Sequence, residues 1–233
     1  MQGRVHSFQS LGTVDGPGVR AVVFMQGCPL RCVCCHNPDT WDFSGGALTD
    51  TQALFDKIVR LRSYFGKDGG VTVSGGEPLM QADFVRELFK KCHSAGINCA
   101  LDTSGCVYNE SVDALIDECD LVLLDYKYAN AEDYSKNCGC TKDKVDLFLQ
   151  KLEEKGKRVW IRHVIIPTLN DNAESLRYIL ELEKRYSCIE KIELLPFRKL
   201  CAEKYQSMGI SFPLIDVPEA DERMIEELRE AAT

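Results

Sequence analysis

Four of the chain's twelve cysteines crowd into one short stretch, Cys28-Pro-Leu-Arg-Cys32-Val-Cys34-Cys35. Cys28, Cys32 and Cys35 stand in CxxxCxxC spacing. Three thiolates on one loop can wrap one iron–sulfur cluster, which cysteines ligate, ordinarily four to a [4Fe–4S] cube. No obvious fourth ligand is near. One iron would then lack a protein ligand, and open metal positions are where substrates bind. The spacing selects Cys35 over Cys34, which reads as a loop residue beside the ligands. A structural zinc ion is the competing reading. Zinc usually takes two separated pairs, and no second pair occurs, but His36 would complete a Cys₃His set.

The second chemical signal is Ser74-Gly75-Gly76-Glu77-Pro78. Two glycines let backbone approach a ligand closely, and a carboxylate beside them can accept from an ammonium group. Taken alone, a plain strand-to-helix turn ending in proline is the stronger reading. Asp102-Thr103-Ser104-Gly105 and Asp125-Tyr126-Lys127 are further polar stretches of this kind.

Each of these signals follows a short β-branched or aliphatic run. Such runs at 22–25, 71–73, 97–101, 121–124, 159–166 and 192–195 alternate with helical periodicity, for example Leu54, Ile58, Leu61 and Phe65. That alternation predicts βα units and a parallel sheet. Thr49 or Asp50 is the expected cap of the first helix. Six units are too few for a closed eight-unit barrel. The fold class expected is α/β, an open partial (β/α)6 barrel in a single domain over 1–233, with a doubly wound sheet as the alternative. In both, ligands gather at the C-terminal ends of the strands, where the signals lie.

Composition narrows the partners. A net charge of −8 disfavours nucleic acid and anionic membranes, which repel an acidic surface. The first residues carry no apolar run, and no stretch is long enough to span a bilayer, so a cytosolic protein is expected. In that compartment cysteines suggest metal or catalysis ahead of disulfides. The other eight, including Cys92, Cys99, Cys106, Cys138 and Cys140, are scattered and read mostly as small hydrophobes.

Together, CxxxCxxC and Gly-Gly-Glu-Pro resemble the radical S-adenosylmethionine superfamily. The stretches beginning at Arg4, Gly12, Cys35, Leu101, Leu124, Val159 and Lys191 are similar to the activating enzymes of pyruvate formate-lyase, nearly end to end. The resemblance implies Cys28, Cys32 and Cys35 as ligands of a [4Fe–4S] cluster whose open iron takes S-adenosyl-L-methionine. It implies cofactor contacts from Cys34, Cys35, His36, Gly76, Glu77, Asp125, Tyr126, Lys127 and Arg198. Asp15, His36 and Arg162 match peptide-contacting positions, although a plain turn role competes at Asp15. Asp102, Thr103 and Asp125 match a monovalent-cation region. Arg198 stands where family members often carry histidine, and it is a permanent cation. The implied activity is reductive cleavage of S-adenosylmethionine and abstraction of hydrogen from a glycine of pyruvate formate-lyase. Flavodoxin or ferredoxin is the implied electron donor, and a monomer is expected. The alternative within the class is activation of another glycyl-radical enzyme. Many such activases insert ferredoxin-like cysteines after the first motif, and none stands between His36 and Ser74.

Overall fold

The computed structural model describes residues 1–232. Eight strands form one sheet: β1 (Gln2–Gly12), β2 (Arg20–Met25), β3 (Ala47–Asp50), β4 (Gly70–Gly75), β5 (Asn98–Thr103), β6 (Leu121–Asp125), β7 (Val159–Ile165) and β8 (Ile189–Pro196). Their order is β3-β1-β2-β4-β5-β6-β7-β8, with no closure between β3 and β8. From β2 onward each strand pairs parallel with the next, while β1 and β3 run antiparallel at one edge. Doubly wound sheets reverse their order at a switch point. Here the order runs straight, so the sheet is an open part-barrel of six parallel strands with an antiparallel extension.

Alternation along the strands separates the two faces. Val71, Val73, Cys99, Leu101, Val122, Leu124, Val159 and Ile161 face the main core. Packed there are α1 (Thr51–Val59), α2 (Ala82–Ser94), α3 (Glu110–Asp117), α5 (Lys142–Glu154) and α6 (Ala173–Leu180). The opposite face lines a lumen, with Ala100, Leu121, Leu123 and Trp160 as its apolar part. The helices start where side chains cap them. The Asp50 carboxylate accepts from the Gln52 N–H at the head of α1, and Asn109 and Asn172 cap α3 and α6 in the same way. Of the two expected caps for α1, Asp50 is the one used.

Arg20 plugs the N-terminal end of the lumen. It is fully buried, and its guanidinium donates to the Thr72 hydroxyl (2.7 Å), the Asn98 side-chain carbonyl (2.9 Å) and the backbone carbonyls of Pro17, Asp68 and Val71. A buried charge is tolerated only with such saturation. The turn before it, Asp15-Gly-Pro-Gly18, needs positive φ at Gly16 (116°) and Gly18 (70°).

Two short helices complete the frame. In α4 (Ala131–Cys138) Asn130 caps the start and Gly139, at φ 71°, ends it in the left-handed conformation. In α8 (Ala202–Ser207), Tyr205 packs with Phe197 and Phe212 in a second, smaller core. No helix among the described residues is long and apolar enough to cross a membrane.

Candidate functional site

The parallel strands bring every sequence-predicted signal to one end of the sheet. The cysteine loop leaves β2 and folds back under two clamps. The exposed carbonyls at the end of α4 accept its N–H groups: Arg31 donates to Cys138 (3.1 Å) and Val33 to Asn137 (2.8 Å). On the other side, Gly27 donates to Thr40 (2.8 Å), and Glu77 donates to Gly27 (2.9 Å), joining the cysteine loop to the Gly-Gly-Glu-Pro turn. That join leaves no space for side chains. A Cβ on Gly76 would sit 2.5 Å from the Gly27 carbonyl oxygen, and Gly75 holds φ at 105° with backbone of Met25 against it. Glycine at both positions is a requirement of this contact.

Cys28 and Cys35 pack partly buried against the main core, Cys32 is buried in it, and Cys34 packs into the smaller core instead. Burial pushes the Cys28 thiol up to about 12 and the Cys35 thiol to about 11. Cys32 shifts the opposite way, chiefly because the Cys138 thiol donates to it, with Lys127 adding to the effect. Among the described residues, no three of Cys28, Cys32, Cys34, Cys35 and His36 bring ligand atoms within 4.8 Å of one another, as one ion would need. Three thiols spread more widely than that, on one loop and above a backbone floor, fit a multi-iron cluster better than a zinc ion.

A ladder of inward-facing charges occupies the lumen below. Parallel register sets Asp125 beside Arg162 and Arg162 beside Glu193. The Ser74 hydroxyl donates to Asp102 (2.7 Å), and Arg162 Nη1 donates to the same carboxylate oxygen (3.1 Å). Glu193 lies 4.0 Å from Arg162 Nε, which has no hydrogen-bond acceptor. Lys127 Nζ donates to Asp125 (2.7 Å). Burial would lower the Lys127 ammonium, but Asp125, and after it Cys32, hold it well above its ordinary value. Burial raises Asp102 to about 6 against the pull of Arg162. Arg162 itself is raised, first by Asp102. Arg162 and Lys127 place positive charge beside Asp102 and Asp125, the carboxylates expected near a monovalent cation.

Asp15 sits low in this lumen. The inward hydroxyl of Thr72 donates to its carbonyl (2.6 Å), and burial raises its carboxyl despite Arg162 and Arg20 nearby. His36 sits at the rim. Its Nε2 donates to the Arg198 carbonyl (2.9 Å), which fixes the proton there and leaves Nδ1 as an acceptor. Burial lowers its pKa, favouring the neutral ring. The Arg198 side chain pairs outward with Glu219 (3.8 Å).

Three expected cofactor or cation residues turn elsewhere. Glu77 is 1% exposed, and its carboxylate accepts from the Leu79 N–H, the Thr103 hydroxyl (2.6 Å), and the N–H and hydroxyl of Ser104. It ties β4 to β5 and has no oxygen free for an ammonium. Thr103 is spent on the same bond. The Tyr126 hydroxyl donates to Asp146 on α5 (2.5 Å), toward the helical layer. Sequence reasoning missed Ser74, Glu193 and Arg20. For Glu193 a signal existed, since it shares the inward parity of a strand paired with Arg162.

Across the mouth, the segment after β8 clasps the cysteine loop. Lys204 donates to Asn37 (2.9 Å) and Asp39 (3.1 Å), Tyr205 packs edge-on against Trp41, and Arg31 stacks over Trp41.

This is the architecture of the radical S-adenosylmethionine enzymes. A radical SAM methyltransferase from Sphaerobacter thermophilus has the same fold, with a TM-score of 0.66 over 91% of this chain and 63% of that one, at 14% identity. A domain of pyruvate-formate lyase-activating enzyme from Bacteroides vulgatus superposes with a TM-score of 0.58 over 70% of this chain and 92% of that domain, at 23% identity. Residues 14–143 match the family of 4Fe-4S single cluster domains. Sequence similarity is closer still. The pyruvate formate-lyase-activating enzyme of Clostridium pasteurianum is 43% identical over 222 residues, covering 95% of this chain and 93% of that one. Pyruvate formate-lyase 1-activating enzyme of Escherichia coli K12 is 40% identical over 97% of this chain and 94% of its own length. The chain belongs to the family of pyruvate formate-lyase-activating enzymes.

Proposed function

We infer that this protein activates pyruvate formate-lyase by placing a radical on one of its glycines. The observation that carries the reading is the cysteine loop, held over the charged lumen by the ends of β2 and α4. Cys28, Cys32 and Cys35 would hold the [4Fe–4S] cluster. When bound, the cluster supplies one electron to the sulfonium of S-adenosylmethionine, splitting it into methionine and the adenosyl radical that takes a hydrogen atom from glycine.

The chain's own groups bind, orient and shield. Lys127, kept protonated by Asp125, and the backbone at Gly76 suit the zwitterionic end of the cofactor. His36, neutral and with Nδ1 free, sits at the rim with Cys34. Arg162 has a buried Nε that still lacks an acceptor, and with Asp15 and His36 it would meet the incoming peptide. The clasp from Arg198 to Phe212 limits water around the reacting atoms. A small flavoprotein or ferredoxin is the donor we propose, and a cytosolic monomer the working form.

The test is anaerobic reconstitution with iron and sulfide, then electron paramagnetic resonance with reductant, S-adenosylmethionine and pyruvate formate-lyase. A glycyl-radical signal on the partner, with 5′-deoxyadenosine released, is the expected result. Release of 5′-deoxyadenosine without that signal would leave the cofactor chemistry standing and overturn the partner.

A further inference from the structure

At the opposite end of β5 from the cysteine loop, three unlike metal ligands meet. His93 lies in the last turn of α2, Cys99 is the second residue of β5, and Asp120 immediately precedes β6. One ligand atom from each of His93, Cys99 and Asp120 lies within 4.8 Å of the others. Cys99 is fully buried. We propose that this is a binding site for one thiophilic divalent cation, zinc foremost, held by His93, Cys99 and Asp120.

The geometry supports a built site. His93 Nε2 is 3.0 Å from Asp120 Oδ2, close enough for both to bind one ion. The other ring nitrogen, Nδ1, faces a Glu118 carboxylate oxygen at 3.5 Å. A carboxylate on the far nitrogen of a ligating histidine orients the ring and raises its basicity. Asp120 is itself positioned by the Cys99 N–H, which donates to the same Oδ2 (2.7 Å). Lys90, 3.7 Å from Glu118, buried Arg20 and Arg158 are cations nearby. A thiolate, an imidazole and a carboxylate, with a water in the fourth position, suit zinc's tetrahedral habit, and the sulfur and nitrogen disfavour magnesium or calcium, which want oxygen ligands. Binding converts the Cys99 thiol to a thiolate, and its proton leaves to solvent. His93 and Asp120 are about a third exposed, which gives the ion a way in.

Four residue steps along β5, about 13 Å of strand, separate Cys99 from Thr103 at the mouth. Occupancy of the site should therefore leave the cluster intact. Its role would be to staple α2, β5 and the turn before β6 at the base of the sheet.

The test uses anaerobically purified, cluster-loaded protein. It is incubated with zinc, desalted, and assayed for zinc and iron together. One zinc per chain with unchanged iron is expected, with a zinc-edge X-ray absorption spectrum showing one sulfur ligand. His93→Ala and Asp120→Asn, both near the surface, should weaken zinc binding about tenfold or more and keep their iron. Cys99→Ser should remove the sulfur from the spectrum. The proposal is overturned if wild-type protein retains no zinc, if both surface variants retain it fully, or if zinc enters only by displacing iron.

Discussion

The four cysteines of the loop divide by which core they pack into. Cys28, Cys32 and Cys35 share the main core, while Cys34 faces Phe197 and Tyr205 in the smaller one. Replacing Cys28, Cys32 or Cys35 with Ala should abolish the cluster, whereas Cys34→Ala should keep most of it. Iron and sulfide content after anaerobic reconstitution decides this; iron lost in Cys34→Ala but kept in Cys35→Ala would reverse the assignment. Glu77 calls for a different expectation. Its carboxylate accepts four hydrogen bonds from groups that have no other acceptor at hand. Glu77→Ala would leave the Thr103 and Ser104 donors unpaired, a loss on the order of 3 kcal/mol. Denaturant unfolding should show that loss before any change in cofactor affinity is interpretable. Lys127→Ala, by contrast, should weaken S-adenosylmethionine binding in calorimetry without lowering iron content. Unchanged affinity there would remove Lys127 from the site.

Between elements, the buried histidine of β7 sets an acid limit on the fold. His163 is fully buried on the helix-facing side, with Nδ1 against the Tyr126 carbonyl (2.7 Å), and burial lowers its pKa to about 4. The ordinary value is 6.5, so below that pH the unfolded chain takes up a proton that the native fold refuses. The contribution is intact above pH 6.5 and drains away as pH falls toward 4, by on the order of 3 kcal/mol in total. Chemical unfolding across that range should show it, and His163→Gln should flatten the dependence. The six parallel strands and their helices were legible in the sequence because each buries a continuous apolar run or a clear helical stripe. The antiparallel strands β1 and β3 were not. β1 is bulged and only three of its eleven residues are buried, and all four residues of β3 lie outside the core. Likewise α4 and α8 bury few apolar side chains, so their periodicity is faint. Glycine turns and cysteine spacing revealed where the site lies. They could not reveal that Glu77 and Tyr126 turn away from it, because one strand end offers both faces. The scattered cysteines read as filler, yet some find a thiol from a distant segment: Cys138 meets Cys32, and Cys106 meets Cys140.

At the scale of the molecule, a net charge of −8 gives no broad positive field to draw in a partner. Selectivity must then reside in local contacts at the mouth. Arg162→Ala should slow glycyl-radical formation more than it slows 5′-deoxyadenosine release without the partner, because the target would be misplaced while the cofactor stays seated. Counting radical spins against 5′-deoxyadenosine, with and without pyruvate formate-lyase, separates the two. Equal losses would place Arg162 in the cofactor site or the frame. The clasp over the cysteine loop bears on how the protein is made. Asn37 and His36 find their partners Lys204 and Arg198 only after 167 and 162 further positions along the chain. On the ribosome, chains fold from the N-terminus as they emerge. The cysteines therefore appear early but stay unclasped until the stretch carrying Arg198 and Lys204 has been made. Whatever the clasped mouth is needed for waits on that late stretch of backbone.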